Sequence, residues 1–202
     1  MTFELQPLLN AFAAMPRWEI LAVILGIAYV ILAAKESAWC WVAGFFSTLI
    51  YTLLFWEGSL LSSALLNFYY MGMSVYGFIL WRRGGSTDSE ELPIRSWTIP
   101  RHFIAIASAV FASLLTGYLL ATFTQARLPY LDAGVMIFSV LATWMLAQKI
   151  LENWLYWIVI DSAAIILYWS TGYYVTIILF MLYVVLSLYG YTTWRKNRKT
   201  LA

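Results

Sequence analysis

The sequence of 202 residues has one cysteine, Cys40, and one histidine, His102. A single thiol excludes an internal disulfide. A single imidazole removes the commonest protein ligand for a metal, so neither a metal site nor a cofactor is expected. Charge is scarce too: only 11% of residues are Asp, Glu, Lys or Arg, against about a quarter in a soluble domain. Residues 1–16 lack the basic start and small-residue cleavage site of a signal peptide. There is no Gly-rich phosphate loop, Walker motif or nucleophile elbow. The chain is therefore not read as an enzyme, and no nucleic-acid partner is expected. A retinal protein needs a Schiff-base lysine deep in its last helix. Tyr173 to Trp194 contains no lysine, which discards that class.

What the sequence has in abundance is apolar surface. It is 63% hydrophobic, and its mean hydropathy of +0.78 places it among polytopic membrane proteins. Seven spans are predicted, at about 18–34, 38–56, 59–81, 102–124, 131–148, 153–171 and 173–194. Each is long enough for a hydrocarbon core of about 30 Å. The loop from Arg82 to Arg101 contains Gly84 to Glu91, a flexible-linker composition that joins two halves. Residues 3–14 are read as a short interfacial helix.

Lysine and arginine set the expected orientation. Alternate ends of seven spans leave Lys35, Arg82, Arg83, Arg95, Arg101, Lys149, Arg195, Lys196, Arg198 and Lys199 on one side. Arg17 and Arg127 fall on the other, which completes the 12. The bias puts the N-terminus outside and the C-terminus in the cytoplasm.

The halves repeat. A shift of 113 residues carries Trp41 onto Trp154, Trp56 onto Trp169, Tyr70 onto Tyr183 and Glu19 onto Asp132 without a gap. It also aligns Ser74-Val75-Tyr76-Gly77 and Trp81-Arg82-Arg83 with Ser187-Leu188-Tyr189-Gly190 and Trp194-Arg195-Lys196. The expected organisation is an outer segment 1–16, a three-helix unit 17–83 and a cytoplasmic loop 84–101. A linker helix and loop 102–130, a second unit 131–196 and a tail 197–202 follow. The fold class is all-α, a seven-helix 3+1+3 parallel repeat, a plan used by membrane transporters with the site between the units.

The sixth span carries the sharpest chemistry. Trp154, Trp157, Asp161 and Tyr168 lie on one helical face. A lone carboxylate in hydrocarbon costs several kcal/mol, so it must meet protein, water or a cationic ligand. No Lys or Arg lies deep in any span, and an aromatic box around a carboxylate suits a flat organic cation. Thr48 is the partner of Asp161 under the repeat. Asn153, Asn67, Gln148 and Ser139 add polar groups to the candidate substrate site. Lys149 and Glu152 are read as a helix-start pair, and Trp81 and Trp194 as interfacial anchors. His102 and Cys40 are given no role.

These residues resemble the PnuC family of vitamin transporters. The likeness rests on Asp132, Ser139, Lys149-x-x-Glu152-Asn153-Trp154-x-x-Trp157, Glu19 with Gly26, and the Tyr-Gly-x-x-x-Trp endings, and it covers about 18–196. The resemblance implies a bundle related to the SWEET sugar transporters, a homotrimer in the inner membrane, and facilitated diffusion of a vitamin trapped inside by phosphorylation. Asp161 replaces the Asn usual in the nicotinamide riboside type. The Tyr189-Gly190 site often reads Asn-Gly there. The chain is therefore read as most like the thiamine type (PnuT), with nicotinamide riboside transport as the alternative and proton coupling through Asp161 as a second one.

Overall fold

The computed structural model describes residues 15–57, 61–84, 92–171 and 174–200. Within them the chain forms α1 (Arg17–Ala34), α2 (Trp39–Glu57), α3 (Leu61–Arg83), α4 (Ile99–Phe123), α5 (Pro129–Ala147), α6 (Asn153–Thr171) and α7 (Tyr174–Thr200). The expected helix at 3–14 and the linker from Gly85 to Glu91 lie outside the described residues. Among the described residues, four helical stretches are long and apolar enough to cross a membrane: Arg17–Ala34, Ile99–Phe123, Pro129–Ala147 and Thr176–Arg198. Trp39–Leu54 is a shorter apolar helix. The last helix runs to Thr200, beyond the 196/197 boundary expected from the sequence.

Local chemistry explains where these helices start and stop. The first turns of α4 and α5 contain Pro100 and Pro129, where a missing N–H removes no helical bond. Two helices end by one device. After α1, the Glu36 N–H donates to Ala33 O (3.0 Å) and the Ser37 N–H to Leu32 O (3.0 Å). After α5, the Lys149 N–H donates to Leu146 O (2.9 Å) and the Ile150 N–H to Met145 O (3.0 Å). Each is a Schellman closure, which places one residue in the left-handed region. Those residues are Glu36 (φ 57°) and Lys149 (φ 50°).

Packing groups α1, α2 and α3 in succession, and α5, α6 and α7 likewise. Two seams join the groups, α1 against α7 and α3 against α5, while α4 packs on α5. The core sits at the end of the bundle that carries Lys35 and Lys149. Trp41 meets Trp81 edge-on (5.5 Å, 86°), Trp154 meets Trp194 in the same way (5.5 Å, 90°), and Trp81 meets Trp194 (6.0 Å). Gly77 and Gly190 make room for these rings: an added Cβ would come within 2.3 Å of Trp41 and 2.7 Å of Trp154, respectively.

Several expectations are corrected here. Trp81 and Trp194 are buried rather than interfacial. The last carbonyls of a helix have no partner within it, and the two indoles supply donors: Trp81 Nε1 to Ala147 O (3.0 Å) and Trp194 Nε1 to Ala33 O (3.1 Å). Lys149 pairs with Glu36 (3.0 Å), not with Glu152. Glu152 instead accepts from the Ser96 hydroxyl and from the Trp97 N–H (3.2 Å) and lies 3.9 Å from His102 Nε2. His102 Nδ1 is also 2.9 Å from the Tyr156 hydroxyl, so the histidine has a structural place. The second half of the long loop is docked: Leu92 and Ile94 are buried. Arg95 also exchanges backbone bonds with Lys149 O (2.9 Å) and the Leu151 N–H (2.8 Å).

Candidate functional site

Asp161 lies in the middle of α6 with 2% of its surface exposed. Neither of the two ion pairs among the described residues involves it. The phenols of Tyr70 on α3 and Tyr183 on α7 are within electrostatic reach of it. Tyr29 on α1 neighbours both of those tyrosines. A carboxylate is thus placed among hydroxyls contributed by helices of both groups. Phenols are hydrogen-bond donors with apolar bodies, and neither ion pair among the described residues gives Asp161 a protein cation.

Both seams are crossed by a tyrosine at the same level. Tyr70 of α3 hydrogen-bonds Ser139 of α5. The Tyr183 hydroxyl of α7 abuts α1 at Gly26, where an added Cβ would stand 2.9 Å from it. Ser139 is buried, and its own carbonyl accepts from the Thr143 hydroxyl at 2.8 Å. Ser47 on α2 is also buried and donates to Ala22 O on α1 (2.8 Å).

The sequence-predicted site residues divide into two groups. Asp161 and Ser139 belong to the tyrosine-rich part of the bundle, and Tyr168 lies about two turns along α6 from Asp161, toward Thr171. Tyr168 stacks on Phe180 (5.3 Å, 25°) and neighbours Tyr51 and Tyr70. Asn67 is half-buried on α3, one turn from Tyr70. Thr48 is half-buried on α2, and its hydroxyl donates to Gly44 O (2.8 Å) within its own helix. Trp157 is half-buried on α6, about 6 Å along the axis from Asp161.

The remaining three residues belong to the lysine-rich end. Asn153 and Trp154 open α6, about 12 Å along the helix axis from Asp161. Asn153 is fully buried; its Nδ2 donates to Ile150 O (2.6 Å), and its Oδ1 has no hydrogen-bond partner. Trp154 is enclosed by Gly190 and Trp194. Gln148 closes α5, and its Nε2 donates to the Tyr76 hydroxyl (2.6 Å). Trp154 and Tyr168 share the helical face of Asp161 and stand about two turns from it on opposite sides.

Reasoning from sequence missed Tyr70, Tyr183 and Tyr29 as site residues. The signal was present for two of them, since Tyr70 and Tyr183 match under the 113-residue shift.

A bundle of apolar helices around a buried, unpaired carboxylate and a set of phenols defines a polytopic membrane protein with a polar centre. The chain belongs to the Nicotinamide mononucleotide transporter family, whose pattern matches residues 17–196. It is 23% identical over 200 residues to the nicotinamide riboside transporter PnuC of Escherichia coli K12, covering 87% of this chain and 84% of that one. It is 25% identical over 173 residues to the riboflavin/roseoflavin transporter RibM of Streptomyces davaonensis, covering 85% and 81%. The nicotinamide riboside transporter PnuC of Neisseria mucosa is 24% identical over 187 residues, covering 87% and 70%. In fold the chain is similar to the crystal structure of the vitamin B3 transporter PnuC. The TM-score is 0.77 at 22% identity, over 98% of this chain and 88% of that one. The named relatives are transporters, and transport across a membrane is the activity class of this chain.

Proposed function

We propose that the protein carries nicotinamide riboside across the cytoplasmic membrane. The observation that carries this reading is the likeness to two nicotinamide riboside transporters. Asp161, which stands where that type usually has Asn, is buried and without a cationic partner among the described residues, and so calls for a cationic substrate of either kind. Nicotinamide riboside has a permanently charged pyridinium ring, so it supplies the missing cation, and its ribose hydroxyls match the surrounding phenols. Trp157, one turn away on α6, is in position to stack on a flat cation. Ser139, Tyr70, Tyr183, Tyr168, Asn67 and Thr48 complete the proposed pocket. Asn153, Trp154 and Gln148 support its lysine-rich end.

Thiamine, favoured by the sequence, gives way to the alternative. Its thiazolium would satisfy the same carboxylate, so the charge does not separate the two. The named relatives supply the distinction: two are nicotinamide riboside transporters and one carries riboflavin. Riboflavin has no fixed charge and leaves Asp161 unmatched.

The wider architecture of this reading is a 3+1+3 parallel repeat with the substrate between the units. The twin Schellman closures, the paired Trp-on-Gly contacts and the two seam-crossing tyrosines support it. Each of these features recurs after 113 residues. The lysine and arginine bias supports a cytoplasmic C-terminus. Facilitated diffusion, intracellular phosphorylation as the trap, and a homotrimer through the family resemblance complete the proposal.

The test is direct binding. Purified protein is titrated with nicotinamide riboside, thiamine and riboflavin, and intrinsic tryptophan fluorescence is followed. Quenching that saturates with nicotinamide riboside at concentrations at least about tenfold below the other two supports the proposal. Tighter binding of thiamine or riboflavin would reject it.

A further inference from the structure

Glu36 and Lys149 occupy equivalent positions of the proposed repeat, 113 residues apart, and their side chains meet at 3.0 Å. Each is the left-handed residue of a helix-ending turn. Glycine is the usual occupant of that position because any Cβ is strained there. The chain therefore keeps two strained, charged residues where two glycines would serve the backbone better. The pair is also poorly hydrated: Lys149 is 3% exposed and Glu36 19%. A buried ion pair is weak as a source of stability, because desolvation offsets much of the attraction. Neither local backbone preference nor simple stabilisation accounts for the arrangement.

Its position supplies an account. Glu36 follows α1, in the first helical group, and Lys149 follows α5, in the second. The ion pair is thus a bond between the groups at the lysine-rich end. It is reinforced by contacts that also cross between them. Asn197 Nδ2 of α7 donates to the other Glu36 oxygen (2.8 Å), and the Lys149 ammonium lies 4.9 Å from the centre of the Trp81 ring. Beside it, Trp81 and Trp194 touch, and each donates to a carbonyl of the opposite group. The ion pair and its Asn197 contact are the charged and polar part of this closure, and they sit beside the buried cluster that holds Trp81, Trp194, Leu146 and Leu151. The end they close lies about 12 Å along α6 from Asp161, the distance from Asn153.

We propose that the Glu36–Lys149 pair is a latch that holds the lysine-rich end of the path shut and opens in each transport cycle. The proposal rests on the transport reading above. Charge makes such a contact reversible: the pair is held when the groups meet, and both partners are readily hydrated once they part. Alternating access needs a closure of this kind at each end of the site.

Cys40, the single thiol, reports the state of this end. It is fully buried, and its N–H donates to Ser37 O (2.9 Å), immediately beside Glu36. Full-length protein in liposomes, without substrate, is exposed to N-ethylmaleimide and the rate of Cys40 alkylation is measured. Glu36→Gln keeps the shape of the side chain and removes the charge. The latch predicts alkylation faster by about tenfold or more, as an open population grows when a largely buried pair loses one charge. The exchanged double variant, Glu36→Lys with Lys149→Glu, is expected to return the rate to within about threefold of the parent.

Glu36→Gly removes the same charge while relieving the strained backbone. It gives the same readout if the glutamine variant fails to fold. Alkylation within about threefold of the parent in both single variants overturns the latch. So does a rise that merely follows a fall in melting temperature, which marks the pair as structural. Uptake of nicotinamide riboside is measured separately on the parent. Faster alkylation in the variants with no uptake by the parent would reject the substrate while leaving the latch, and uptake with unchanged alkylation would do the reverse.

Discussion

Trp154 lies against Gly190. A Cβ built on that glycine would sit 2.7 Å from three atoms of the indole, two of them at the ring fusion. The ring is wedged between α7 and Trp194 and has nowhere to retreat. Gly190→Ala is therefore expected to destabilise the protein by about 1–3 kcal/mol through overpacking. Gly72 on α3 has no neighbour within 4 Å of its added Cβ. There alanine is expected to be neutral or to stabilise the helix by up to about 1 kcal/mol. Melting temperatures in one detergent check the pair; equal effects at the two sites would contradict the packing account.

The two indole N–H bonds across the seams should be comparable. Trp81→Phe leaves the buried Ala147 carbonyl without its 3.0 Å donor, and Trp194→Phe does the same to Ala33 at 3.1 Å. Each change is expected to cost about 1–3 kcal/mol of stability. The measurement is again the melting temperature of each variant. An unchanged value for both would show that these bonds are dispensable.

Tyr70 and Ser139 form one hydrogen bond across the α3/α5 seam. Tyr70→Phe and Ser139→Ala each remove it, so the double variant should lose less than the two singles together. The expected coupling is about 0.5–3 kcal/mol in a double-mutant cycle on nicotinamide riboside affinity. Additive losses would place the two residues in separate roles.

Transport is expected to equilibrate substrate without concentrating it. Among the described residues the candidate site contains one buried acid, Asp161, and no second one to relay a proton. Proteoliposomes without an internal kinase should fill with labelled nicotinamide riboside to the outside concentration and no further. Accumulation above that level under a proton or sodium gradient would contradict facilitated diffusion.

The helices were legible because apolar runs and their polar breaks are local properties. The expected spans at 18–34 and 153–171 meet α1 and α6 within one residue at either end. The repeat pattern also pointed to Trp41 and Trp154, which do have matching glycine supports. What the sequence did not disclose depends on which groups meet across the bundle. Trp81 and Trp194 precede arginines, the usual mark of an interfacial anchor, yet their indoles turn inward to cap carbonyls of α5 and α1. Lys149 has a carboxylate three residues away on its own chain segment, yet a left-handed turn carries it to Glu36. Tyr70 and Tyr183 were visible as a repeat pair but carry no charge to single them out. Only their proximity to Asp161 gives them a role.

The central claim is that Asp161 is the counter-charge to a cationic vitamin. Truncating one partner of a desolvated charge contact costs about 2–5 kcal/mol, roughly 30- to 4000-fold in affinity. Asp161→Asn keeps the size and one acceptor, so its loss should fall near the lower end. The deciding measurement is the dissociation constant of nicotinamide riboside for parent and Asp161→Asn protein, with the melting temperature taken on the same samples. The account predicts a folded variant that binds about thirtyfold or more weakly. A variant that melts earlier yet binds within about threefold of the parent would show that Asp161 holds helices together and does not hold the substrate.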